Sequence, residues 1–253
     1  MTRIIMHGCN GKMGQVISTI VEESDDTTIV AGVDITNNID NSYPVYSDIN
    51  IVDIDADVII DFSTPKAIPN LLNYAKSRKI PIVLCTTGLD NDQITMVNES
   101  SKEIAILLSA NMSLGVNLLL NLVKKAARTL ASANFDIEII EKHHNQKIDA
   151  PSGTALAFAD SINESLDNKY NYTYDRSTTR TKRDSKEIGI HAVRGGTIVG
   201  EHSIIFAGKD EVIELNHSAL SKDIFAVGAV NAAKFLSEKS PGMYDMQNVI
   251  ENN

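Results

Sequence analysis

The chain has 253 residues, 43% of them hydrophobic, and its 33 acidic against 23 basic side chains give a formal charge of -10. This length and composition fit one large or two smaller globular domains. The negative balance argues against non-specific binding to nucleic acid or an anionic membrane, both of which rest on positive surface.

The N-terminus opens directly as MTRIIMHG, and no apolar run of the roughly eighteen residues needed for a membrane span appears. A cytoplasmic protein with no membrane partner is expected. Two cysteines, Cys9 and Cys85, make neither a disulfide framework nor a zinc-ligand cluster. They are read as small buried residues.

Arg3 to Met6 is a short apolar run that enters His7-Gly8-Cys9-Asn10-Gly11-Lys12-Met13-Gly14, after which Val16, Ile17, Ile20 and Val21 recur at helical spacing. The pattern is a strand, a glycine turn and a helix. Glycines at 8, 11 and 14 let the backbone approach a pyrophosphate while the helix start supplies N–H donors. The spacing differs from the usual dinucleotide fingerprint, and a plain tight turn also fits it. A second strand, Thr28 to Val33, ends at Asp34, where a dinucleotide fold places an acid on the adenine ribose hydroxyls. The other reading of Asp34 is a solvated acid opening the loop Ile35 to Ser42.

Val58 to Phe62, Ile80 to Cys85 and Ile104 to Leu108 read as further strands of a parallel sheet, with a helix over Ala67 to Lys79. The loops after them, Ser63-Thr64-Pro65, Thr86-Thr87-Gly88 and Ser109-Ala110-Asn111-Met112-Ser113, are candidates to border a nicotinamide, because open parallel sheets bind ligands at their strand ends. Val116 to Leu130 recurs helically and leads into a second unit.

In that unit Phe135 to Glu141 alternates as a half-buried strand, with Phe135, Ile137 and Ile139 on one face and Asp136 and Glu138 on the other. His143 and His144 follow where the strand runs out. After Pro151 the apolar positions Ala155, Leu156, Ala159 and Ile162 fall at helical spacing, so Ser152, Gly153 and Thr154 lie in the cap or first turn, where free N–H groups attract anions. His143 and Lys147 are four residues apart. If the loop folds back, both histidines and the lysine face one anionic substrate, to pass a proton or hold a carboxylate. Metal binding is disfavoured, since no third ligand stands at conventional spacing and the lysine repels a cation.

The polar stretch Lys169 to Lys186 predicts a mobile surface loop. Ile188 to Arg194, Thr197 to Phe206 and Glu211 to His217 predict an antiparallel meander turned at Gly195-Gly196 and Gly208-Lys209-Asp210. A helix over Phe225 to Leu236 would then return to the first domain. The expected fold is α/β: a Rossmann-like parallel-sheet nucleotide domain, residues 1–113 and 221–253, with an inserted α+β domain, residues 114–220, carrying a mixed or antiparallel sheet.

Six segments carry a family resemblance over nearly the whole chain: GCNGKMG at the start, DFSTP at 61–65, TTG at 86–88, NMSLGVN at 111–117, EKHHNQKIDAPSGTA at 141–155 and RGGTIVGEH at 194–202. With them the sequence resembles the 4-hydroxy-tetrahydrodipicolinate (dihydrodipicolinate) reductase family. The resemblance implies reduction of a cyclic dicarboxylate by NADH or NADPH in lysine and diaminopimelate biosynthesis, by a homotetramer. It implies His143 and Lys147 as proton-transfer residues, and His144, Gly153 and Thr154 as the grip on a substrate carboxylate. It further implies cofactor contacts at Gly8, Cys9, Asn10, Gly11, Lys12, Met13, Asp34, Cys85, Thr86, Thr87, Ser109, Ala110, Asn111 and Met112.

Two positions depart from the family pattern. Cys85 stands where glycine is common, so its backbone must avoid conformations reserved for glycine. Ile35 stands where many members have an arginine for the 2′-phosphate, which predicts a preference for NADH. Two other functions fit parts of the sequence, a non-catalytic dinucleotide sensor and a related amino- or keto-acid oxidoreductase. Catalysis would also require the histidine segment to form one wall of an interdomain cleft.

Overall fold

A computed structural model of the chain describes residues 1–36, 38–109, 111–178 and 180–252. The chain divides into two compact units, Met1–Leu114 with Asp223–Asn253, and Gly115–Lys222.

In the first unit, β1 (Thr2–His7), β2 (Thr27–Val33), β3 (Val45–Tyr46), β4 (Val58–Asp61), β5 (Ile82–Leu84), β6 (Ala105–Leu108) and β12 (Gly242–Tyr244) form one sheet in the order β12-β6-β5-β4-β1-β2-β3. Every pairing in it is parallel. Helices cover both faces, which explains why its central strands are continuous apolar runs without alternation. Ile4 and Met6 point into a core shared with α1 (Lys12–Glu22) and α6 (Asp223–Leu236). Ile5, Ile59, Ile82 and Ile106 point into a second core with α2 (Ile68–Arg78) and α3 (Asn91–Ser100).

Helix α6 packs very closely, because Gly228 lets it approach the carbonyl of Met112: a Cβ at 228 would stand 1.7 Å from that oxygen. After α6, β12 adds a strand beside β6, and α7 (Met246–Glu251) closes the unit.

The second unit holds α4 (Leu114–Leu130), β7 (Asp136–His143), α5 (Gly153–Ser165), β8 (Asn171–Thr173), β9 (Glu187–Arg194), β10 (Gly200–Ala207) and β11 (Val212–Ala219). Its sheet runs β11-β10-β7-β9-β8. Ile137, Ile139, Ile190, Ile204 and Phe206 pack with Val123, Phe158 and Ile162 from the helices.

The second unit departs from two sequence expectations. First, the meander is not continuous. β9 and β10 flank β7, parallel and antiparallel to it respectively, so Gly195-Gly196 joins strands that do not pair with each other. Only β10 and β11 form the expected hairpin. Second, the Lys169–Lys186 stretch is pinned to the sheet. β8 pairs with β9, Arg176 bonds to Glu138 and Glu187, and Arg183 reaches Asp136, Glu138 and the carbonyls of Ile137 and Glu187. These arginines read as solvated in sequence, but the partly buried acids on the outer face of the sheet hold them. Among the described residues no helix is long and apolar enough to cross a membrane.

Candidate active site

In the first unit the turn between β1 and α1 is shaped by close backbone approach. Gly8 has φ 84°, and a Cβ on it would stand 2.5 Å from the Phe62 carbonyl oxygen. A Cβ on Gly14 would stand 2.3 Å from the Gly8 oxygen. Helix α1 therefore starts hard against the turn. Its N-cap, Gly11, provides no side-chain cap, so the first N–H groups remain available to an anion. Lys12 is exposed at this helix start.

A cavity of about 510 Å³ opens beside the turn, lined by Gly8, Gly11, Asp34, Ile35, Asp48 and Ser63 among others. Asp34 accepts hydrogen bonds from the N–H of Asn10 at 3.0 Å and from the N–H and hydroxyl of Thr36 at 3.0 and 2.9 Å. It thus braces the glycine turn and keeps lone-pair capacity for a further donor. Ile35 beside it is 93% exposed. No lysine or arginine lines this cavity among the described residues. Shape, glycine turn and helix start all fit a dinucleotide.

Some predicted contact residues face inward. Cys9 is fully buried in the core, and Cys85 is nearly so; burial pushes the Cys9 thiol up to about 11 and Cys85 well above its usual value. Only their backbones are available to a ligand. Cys85 is absent from the residues at positive φ, so it meets the backbone requirement. The Thr86 hydroxyl is also turned inward, donating to Asp61 at 2.6 Å, while Thr87 is exposed. Ser109 donates to the Asn111 carbonyl at 2.9 Å, the Asn111 side chain accepts from the Ser113 N–H at 2.9 Å, and Met112 is buried. Met13 packs against the core. Ala110 lies outside the described residues.

The hub at Asp61 was not foreseen. This fully buried carboxylate meets His7 Nδ1, Ser63 Oγ and Thr86 Oγ1, each at 2.6 Å. It ties the ends of β1 and β4 to the loop after β5. Asp61 falls within the DFSTP segment, but a lone histidine and a lone acid 54 residues apart give no spacing signal.

In the second unit, β7 runs on past its last apolar residue, Ile140, to His143 and keeps the alternation. Glu141 therefore falls on the buried face at 0% exposure and His143 at 9%. Glu141 Oε2 meets His143 Nδ1 at 2.6 Å. Arg194, at the end of β9, grips both oxygens of Glu141 at 2.6 and 2.7 Å. The Ser152 N–H donates to Oε1 at 2.9 Å. Burial opposes ionisation of Glu141, but Arg194, His143 and the Ser152 N–H outweigh it and hold the carboxyl below its ordinary range.

Ser152 is the N-cap of α5, its hydroxyl accepting from the Ala155 N–H at 3.2 Å. The same hydroxyl meets His202 Nε2 at 3.1 Å. His202 packs edge-on to His143, with ring centroids 5.2 Å apart. Burial first, then the neighbouring charges, lowers its pKa from 6.5 to about 4.

Lys147 Nζ pairs with Asp149 at 2.8 Å and lies close enough to His202 to depress its protonation. Asp149 is held below its usual range by Lys147 first and also by the N–H of Gly153. The chain turns just after β7, where the His144 carbonyl accepts from the Lys147 N–H at 3.2 Å. His144 and Thr154 are half-buried and Gly153 is exposed at the start of α5. Glu141, Arg194 and His202 lie within the segments EKHHNQKIDAPSGTA and RGGTIVGEH, but their spacing alone gives them no role. Glu141 shares the face of Phe135, Ile137 and Ile139 in the strand alternation itself, which marks it as a buried acid.

Two family models together match most of the chain: dihydrodipicolinate reductase, N-terminus, over residues 2–112, and dihydrodipicolinate reductase, C-terminus, over 115–250. The chain is 55% identical over 251 residues to a 4-hydroxy-tetrahydrodipicolinate reductase of Caldanaerobacter subterraneus subsp. tengcongensis, covering 99% of each. It is 47% identical over 246 residues to the enzyme of that name from Clostridium tetani, covering 97% of this chain and 96% of the relative. Among solved structures it is similar to a dipicolinate-bound dihydrodipicolinate reductase from Paenisporosarcina sp. TG-14, with a TM-score of 0.82, 27% identity, and coverage of 98% and 99% of the two chains.

Proposed function

The chain belongs to the dihydrodipicolinate reductase family, oxidoreductases of lysine and diaminopimelate biosynthesis that reduce 4-hydroxy-tetrahydrodipicolinate with NADH or NADPH, and we propose that it does so with His143 and Lys147 as proton donors. Bound at the glycine turn, the reduced dinucleotide supplies a hydride, so that substrate, hydride and one proton become tetrahydrodipicolinate and water. His143 and Lys147 offer the proton to the nitrogen side of the ring, where negative charge would otherwise build up. His144 and the N–H groups of Gly153 and Thr154 hold a carboxylate of the small anionic dicarboxylate, which takes the place of Asp149 at the Gly153 N–H, as a helix start can. Residues 1–113 and 221–253 serve the dinucleotide, residues 114–220 the substrate and assembly into a homotetramer.

One observation carries this reading: a single segment puts a buried imidazole, a lysine ammonium and a serine-capped helix start into one unit. The dipicolinate bound to the Paenisporosarcina relative supports a planar dicarboxylate as the ligand class. Contacts with the dinucleotide come from Gly8, Gly11 and Asp34 at the turn, from the backbones of Cys9, Asn10, Met13, Cys85 and Met112, and from Lys12, Thr86, Thr87, Ser109, Ala110 and Asn111.

NADH is the preferred cofactor in this reading. Asp34 and Asp48 line the cavity with Ile35 and no cation, which suits ribose hydroxyls and repels a 2′-phosphate. The activity is tested by supplying enzymatically generated 4-hydroxy-tetrahydrodipicolinate and following NADH absorbance; folded protein that consumes none refutes the assignment. Equal or better kcat/KM with NADPH refutes the preference, Lys12 being the cation placed to cause it. Light scattering at the mass of four chains tests the tetramer.

A further inference from the structure

We infer that Glu141, clamped by Arg194, is the positioning residue that sets His143 for proton delivery and ties that proton to the substrate-binding helix start. The inference rests on His143 being a proton donor. A buried, ionised carboxylate can only accept hydrogen bonds, so the nitrogen 2.6 Å away, His143 Nδ1, must carry a hydrogen. The nitrogen left to work on the substrate is then Nε2. Across the sheet the residue beside it is Gly200, where a Cβ would stand only 3.1 Å from Nε2. The absent side chain leaves the working nitrogen uncrowded.

Arg194 performs two tasks. Its fork spans both oxygens of Glu141, which fixes the plane of the carboxylate and so the tilt of the imidazole. It also donates to the Asp149 carbonyl at 2.6 Å, anchoring the loop that carries Lys147. The third donor to Glu141, the Ser152 N–H at 2.9 Å, belongs to the N-cap of α5. One carboxylate therefore connects the proton-bearing ring, the lysine loop and the carboxylate-binding helix start, so the three cannot shift independently. When His143 gives up its Nε2 proton, the neutral ring that remains is the Nδ1–H tautomer, which Glu141 already accepts from. No reorganisation is needed at the moment of transfer.

Glu141→Gln keeps the shape and removes the charge. Arg194 will take the amide oxygen, leaving the amide N–H to face Nδ1, so the ring must present a lone pair there and carry its hydrogen on Nε2 as a neutral, weak acid. We expect kcat to fall by at least about 10²-fold, on the scale of a lost or misdirected proton donor. The KM for NADH should stay within about twofold, and the ¹⁵N shifts of His143 should change from the Nδ1–H to the Nε2–H form. Glu141→Asp, which keeps the charge on a shorter stem, should recover at least about tenfold of the lost rate. Adding Glu141→Gln to His143→Asn should cost little more than His143→Asn alone, because residues acting as one unit are not additive.

If Glu141→Gln does not fold, Arg194→Lys gives the same readout: a positive charge without the fork should lower kcat about tenfold and mix the two tautomers. A Glu141→Gln or Arg194→Lys enzyme with near-normal kcat and an unchanged Nδ1–H signal overturns the inference. So does an equal loss from Glu141→Gln in enzyme already lacking His143. Near-normal turnover by His143→Asn alone would instead remove the proton-donor reading beneath it.

Discussion

Lys147 and Ile35 test the two halves of the chemistry one side chain at a time. The Lys147 ammonium is 23% exposed and its partner Asp149 is 57% exposed, so water screens the pair and an incoming carboxylate can compete for the ammonium. Lys147→Ala should lower kcat by about 10²- to 10⁴-fold, the range for a positioned proton donor, with cofactor binding by fluorescence unchanged; near-normal turnover removes Lys147 from the chemistry. On the dinucleotide side, Ile35→Arg adds a guanidinium at an exposed position beside Asp34. A charge-assisted bond to a phosphate is worth about 1.5–3 kcal/mol. The ratio of kcat/KM for NADPH over NADH should therefore rise about tenfold or more, and an unchanged ratio would show that position 35 does not face the 2′ oxygen. The proposed proton and anion groups stand out at this scale because they cluster within fifteen residues of sequence. Glu141, Arg194, His7 and Asp61 were not, because each acts through a partner brought in from another strand.

Elements depend on a few positions where backbone meets backbone. At Gly14 a methyl group would lie 2.3 Å from the Gly8 oxygen and 2.5 Å from the Cys9 oxygen. Both are backbone atoms that cannot swing aside, so Gly14→Ala must push α1 off the turn. Overpacking of this kind costs about 1–3 kcal/mol, and the displaced helix start should also weaken NADH binding, measured as Kd by fluorescence. Gly228→Ala drives α6 against the Met112 carbonyl and should lower the urea midpoint at constant m while leaving the β1–α1 turn intact. Wild-type stability in both variants would mean that these helices have slack the packing does not suggest. In the parallel unit β1, β2, β4, β5 and β6 and helices α1, α2 and α6 were legible because apolar period and glycine turns coincide there, whereas β3, β12 and α3, short or largely polar, were not. The order of strands in the second sheet was not, since sequence marks β9 and β10 as neighbours while β7, far earlier in the chain, inserts between them. The pinned Lys169–Lys186 stretch was misread for a related reason: arginines that bond to partly buried acids on a sheet face carry the same sequence signature as solvated ones.

At the scale of the whole molecule, the carboxylates and histidines with clear shifts fall mostly in the second unit, and acid should reveal it. His202 in the second unit is 4% exposed and its pKa falls from 6.5 to about 4, through burial first and then the charges of His143 and His217. His217 is lowered as well, by burial. Between pH 6.5 and 4 the unfolded chain binds the proton that folded His202 refuses, so stability decreases as pH falls through that window and is complete above it. The full window corresponds to about 3 kcal/mol, with about 2 kcal/mol already lost at pH 5. Glu138 and Glu141 are both held low against their own desolvation. Their contribution is present above the ordinary carboxylate range and lost as pH falls through their lowered values, so it follows the histidine step. Hydrogen exchange at pH 5 should accordingly open peptides of Gly115–Lys222 before those of the parallel-sheet unit. His202→Gln, which can still bond to the Ser152 hydroxyl but does not titrate, should lose less urea stability between pH 7.5 and 5 than the wild type. A variant as acid-sensitive as the wild type would move the cause from His202 to other groups of the same unit.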